Sequence, residues 1–175
     1  MSLLRPSSRG LAVVLLLALS ACAWFERPPP APPAPPPPPP RNHALEVRNA
    51  AAALVTTVEI VPVESPAIAP LLNAAQAHAE QGQYGPAQNR IEEALVVEPE
   101  NPRILQELAE LKLRQNLFAE AEQLARRAWS GSARLGVLCA RSWLTVAEAQ
   151  LARGEDDSAA RQQAQDCGIK PLPRF

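Results

Sequence analysis

The side chains from which chemistry could be built are few: three cysteines, two histidines and one acidic run, Glu155-Asp156-Asp157. An enzyme needs a nucleophile, a base or a metal held in a constellation. His43 stands beside a proline run, and no acidic or cysteine partner falls at ligand spacing around His78, which reads as a packing residue on a helix. Gly-rich phosphate loops, Gly-x-Ser-x-Gly and His-Glu-x-x-His do not occur. The acidic run precedes a helical stretch, where negative charge suits the positive end of the helix dipole, so it reads as a cap. The expectation is a chain with no catalytic residue, metal, cofactor or small-molecule substrate.

Cys22 is different. Arg5 and Arg9 precede an apolar stretch over residues 11–19, too short for the roughly 20 residues that span a bilayer, which marks an address and not a span. The stretch ends in Leu19-Ser20-Ala21-Cys22, and this order of basic, apolar and small residues resembles the lipobox of bacterial lipoproteins. The resemblance implies removal of residues 1–21 and attachment of acyl chains to Cys22. One acyl chain binds a membrane marginally, whereas several anchor stably. The alternative is an ordinary secretory signal in which Cys22 falls at the cut. Ala23 follows, in place of the aspartate that commonly retains such proteins in the inner membrane. The expected location is therefore the outer membrane, facing the periplasm.

Without residues 1–21 the chain keeps 15 basic and 18 acidic residues, a formal charge of −3. No basic stripe interleaves with the seven aromatic residues, so neither phosphate attraction nor base stacking is provided and no nucleic acid is expected.

The elements that must position the rest follow in order. Residues 28–40 hold eleven prolines and two alanines, a run that forms neither helix nor ladder and favours extended polyproline II. At about 3.1 Å per residue it makes a semi-rigid spacer of roughly 40 Å, read here as a disordered linker over residues 22–43. Residues 44–64 form a transition: Ala50 to Ala53 favour helix, while Val55, Thr56, Thr57, Val58, Ile60 and Val61 favour strand.

From residue 65 onward helix pairs recur. Ala87 and Ala121 stand 34 residues apart, and Gly82 recurs as Asn116, Tyr84 as Phe118, Leu71 as Leu105 and Ala94 as Ala128. Asn101-Pro102 supplies a cap and a first-turn proline. A third unit with four extra residues aligns Trp143 with Leu105, Gly154 with Asn116 and Ala159 with Ala121. This period resembles the tetratricopeptide repeat (TPR). The resemblance implies an all-α fold of about three helix-turn-helix units, six helices, over residues 65–175.

Cys139 begins the first helix of the third pair and Cys167 ends the second, equidistant from the Arg153-Gly154 turn. Residues so placed in an antiparallel hairpin lie opposite each other and can meet at disulfide distance. An oxidising compartment favours the bond over two separately buried thiols. In TPR domains the first helix of each pair lines a concave groove. Here those helices supply Leu72 and Gln76, then Arg103, Gln106 and Glu110, then Arg141, Leu144 and Glu148. Arg and Glu recur seven apart in two adjacent helices. This reads either as a charged ladder for a peptide or partner helix, or as an ordinary solvated face.

A lipid anchor, a proline tether and a terminal TPR domain together resemble the Lpo-type outer-membrane lipoprotein activators of class A penicillin-binding proteins. The resemblance implies a non-enzymatic adaptor that reaches through the cell wall to a bifunctional penicillin-binding protein and stimulates peptidoglycan synthesis. The alternative is a pilotin-like assembly factor for an outer-membrane secretin or pilus component.

Overall fold

Asn101 starts the best-buried helix by a local device. Its side-chain oxygen accepts from the backbone N–H of Arg103 at 2.8 Å and of Ile104 at 3.4 Å, and Pro102 occupies the first turn, where no N–H is needed. In the computed structural model, which describes residues 41–54 and 63–168, seven helices follow one another and no strand occurs among the described residues. They are α1 (His43–Leu54), α2 (Ile68–Glu80), α3 (Tyr84–Val97), α4 (Pro102–Arg114), α5 (Phe118–Gly131), α6 (Val137–Ala152) and α7 (Ser158–Asp166). Cys22 and residues 28–40 lie outside the described residues. Among those described, no helix is long and apolar enough to cross a membrane.

Helices α2 to α7 pair as three antiparallel hairpins, α2/α3, α4/α5 and α6/α7, stacked in order. Their turns share one conformation: Gly82, Asn116 and Gly154 all have positive φ, of 73°, 60° and 74°. Glycine takes this left-handed region without strain, and asparagine tolerates it, which is why these two residue types recur at the period.

Small residues then bring the helices of each pair together. Ala87, Ala94, Ala121 and Ala128 are fully buried. In the third pair the buried residue is Ala160, while Ala159 is exposed, which corrects the expected alignment by one. Glu155-Asp156-Asp157 lengthens this turn, so α7 starts four residues after Gly154, whereas α3 and α5 start two after Gly82 and Asn116. Counting from Ala160, Cys167 falls in the slot of Ala94 and Ala128. At the N-cap position Asp157 makes no capping bond with its side chain; one residue earlier Asp156 Oδ1 accepts from the Ser158 N–H at 3.0 Å, which holds its carboxyl below the usual range.

The first helices touch one another along the stack, α2 to α4 and α4 to α6, whereas the second helices do not. The first helices therefore form the tighter, inner side. Helix α1 takes up the first part of the segment read as a transition over residues 44–64. It packs mainly against α6, with lesser contact to α4 and α7 and none to α2, the next helix in sequence.

Candidate partner-binding groove

Helix α1 runs antiparallel to α6 along the inner face. His43 at its start meets Glu148 near the end of α6, with Nδ1 2.7 Å from Oε1. Leu54 at its end lies beside Gly168, where a Cβ would stand 3.5 Å from the Leu54 carbonyl oxygen. Ala44, Val47 and Ala51, spaced on one helical face, are the wholly buried residues of α1. Val47 and Ala51 share a cluster with Leu113, Ala121, Cys139, Leu144, Ala149 and Cys167.

Charged groups complete the seat. Arg48 Nε donates to Glu110 at 2.5 Å and its Nη2 to Glu107 at 2.7 Å. From the other side, Arg141 donates to the same two carboxylates at 2.7 and 2.8 Å. Two guanidiniums from α1 and α6 thus neutralise two carboxylates of α4. Burial pushes the Glu107 carboxyl up, but Arg141 and Arg48 outweigh it and hold the group below its ordinary value. Burial likewise opposes the charge on Arg141 and Arg48, and Glu110 and Glu107 reverse it, so that both guanidiniums are raised. Glu148 has Arg41 at 3.3 Å and Arg161 at 3.9 Å besides His43. Gln106 donates to Glu110 and Thr145, while its amide oxygen is buried without a protein partner.

This arrangement corrects the charged ladder expected from sequence. Of the eight groove residues, Gln76 alone is exposed, and it donates to Glu80 within its own helix. Arg103 is half-buried against Glu64, at 2.6 Å. Leu72 belongs to the core between the first two hairpins, with Ile68, Ala75 and Ile91. Gln106, Glu110, Leu144 and Glu148 are buried, and the Arg141 side chain is 16% exposed. A spacing of seven leaves a side chain without a partner in its own helix but not without one on its neighbours. Arg141 finds Glu110 of α4, and α1 then covers both.

The sequence reading missed Arg48, Glu107 and the engagement of His43. Ala44, Val47 and Ala51 stand at offsets of three and seven around Arg48, a helical signal obscured by the strand-forming residues that follow. The structure joins Cys139 and Cys167 in a disulfide with Cα atoms 5.7 Å apart, and the Gly136 N–H donates to the Cys167 carbonyl beside it at 2.9 Å. His78 faces Gln83 across the first turn, at 2.7 Å. Among the described residues no group of three or more His, Cys, Asp or Glu side chains stands ready to hold a metal ion.

Comparison with known proteins agrees with this architecture. The family model for the tetratricopeptide repeat matches residues 78–130. The globular C-terminal domain of P. aeruginosa LpoP superposes with a TM-score of 0.55 and 30% identity, over 59% of this chain and 99% of that domain. A stretch of 89 residues, 50% of this chain, is 33% identical to cellulose synthase operon protein C of Xanthomonas axonopodis pv. citri (strain 306), of which it spans 6%.

Proposed function

We propose, because the chain belongs to the tetratricopeptide-repeat proteins in their LpoP-like form, that it is a lipid-anchored adaptor of the cell envelope that activates a peptidoglycan synthase. The carrying observation is that the described helices match essentially the whole globular domain of LpoP, in a chain that also has a lipobox and a proline spacer. The tetratricopeptide repeats and the likeness to the LpoP domain support a protein-binding role. The division of labour follows from the sequence. Acyl chains on Cys22 fix the protein to the outer membrane, the run over residues 28–40 gives reach, and the TPR domain meets a bifunctional penicillin-binding protein.

The test is direct. Purified chain added to the candidate class A penicillin-binding protein should raise its glycan polymerisation or crosslinking rate, and crosslinking in intact cells should recover the same enzyme. An unchanged rate together with recovery of a secretin would replace this reading with the pilotin one. Deleting residues 28–40 should abolish activity in cells while leaving stimulation in solution intact.

A further inference from the structure

We infer that the seat of α1 on the inner face is the docking site for a helix of the partner, one with an arginine or lysine on a face of small residues, and that α1 is the in-chain occupant it displaces. The inference rests on the adaptor reading above and names the chemistry of the partner.

The seat states what fits it. With α1 and the Arg41 before it removed, Arg141 is the cation left on Glu107 and Glu110, beside the Gln106 amide on Glu110, and Arg161 at 3.9 Å is the cation left on Glu148. Three carboxylates would then border a floor of Leu113, Leu144 and Ala149. An uncompensated buried carboxylate is costly, so the trough selects a cation where Arg48 now lies. The floor selects small side chains, because α1 approaches through Ala44, Val47 and Ala51. A partner helix with a basic residue one position after its central small residue would restore the two ion pairs that Arg48 gives up.

Exchange is favoured by how α1 is joined to the fold: it makes no contact with α2, and thirteen residues separate it from that helix. Ordering its twelve residues opposes docking at every position. The covalent link raises the local concentration of α1, so an incoming helix must outcompete it. The seat is thereby closed to weakly basic segments and opened by a matched one.

The probe is a fluorescent peptide with the sequence of residues 41–54, titrated into the full chain in detergent. The wild-type chain should exclude it. The Ala51→Glu chain, whose α1 cannot reseat, should bind it at least tenfold more tightly, and a peptide carrying Arg48→Glu should bind neither chain. Hydrogen exchange over residues 43–54 should be slow in the wild type and fast in the variant. Equal peptide affinity for both chains overturns the proposal, as does α1 that stays protected in both Ala51→Glu and a second variant, Val47→Glu. Loss of helix beyond the twelve residues of α1 in both variants also overturns it, since α1 would then be part of the fold and not an occupant. A chain that takes the peptide but not the penicillin-binding protein keeps this site and loses the function proposed above; the converse result does the reverse.

Discussion

At the scale of single residues, Arg141 shows how an exposed-looking charge in a sequence becomes structural. Its guanidinium bridges Glu107 and Glu110 between two first helices. Removing one partner of a buried pair costs about 3–5 kcal/mol, because the remaining charge stays desolvated. Arg141→Ala is therefore expected to destabilise the domain by about that amount, measured by urea unfolding, and Arg141→Glu to prevent folding by placing a third carboxylate at the same point. A change below 1 kcal/mol for Arg141→Ala would return the residue to an ordinary surface role. Sequence spacing could not show this. The contact joins positions 31 and 34 apart, which no helical period encodes. Gly82, Asn116 and Gly154 were legible because their requirement is local: each turn needs a left-handed residue, and that choice is written at one position.

At the scale of elements, the hairpins were legible and α1 was not. A period of 34 with small residues at fixed offsets reports contact between neighbouring helices, and such contacts are local in repeat folds. The third hairpin slipped by one residue because its turn is longer, which spacing alone does not reveal until the burial of Ala160 is seen. Helix α1 rests instead on α6, far along the chain, and its sequence carries only three small buried residues to announce it. The α6/α7 hairpin gives the prediction at this scale. The disulfide closes a sequence separation of 28, so in the chain-entropy model the Cys139→Ser, Cys167→Ser double variant should lose roughly 3–4 kcal/mol. Calorimetry against the oxidised protein measures the loss. Alkylation of the unreduced protein should find no free thiol at either position, and two labelled thiols would remove the bond.

For the whole molecule, the ion-pair network sets the response to acid. Glu107 and Glu122 are both held below their ordinary value; burial raises each, and the arginines beside them, Arg141 and Arg48 in one case and Arg153 and Arg126 in the other, more than reverse it. A lowered folded value means that the unfolded chain takes up protons first. Their stabilisation is complete above the unfolded value near 4.5 and is lost as pH falls through it toward the lower folded values. Thermal midpoints should accordingly stay level from about pH 7 to 5.5 and drop below about pH 4.5. A midpoint unchanged down to pH 3 would mean that these pairs contribute nothing to folding.

The order of elements along the chain also fixes where a pull is felt. Helix α1 is the first described helix, so on the proposed anchoring at Cys22 any tension between that anchor and a partner on the repeats would enter the domain through Arg41 and α1. Its ion pairs and three small buried side chains are the first link on that path, while the third hairpin beneath is closed by a covalent bond. Under load α1 should peel from α6 first, lengthening the tether by the contour of its twelve residues, and leave the stacked hairpins intact. The chain would then act as a strain gauge for the gap it bridges, with the inner face uncovered when that gap widens.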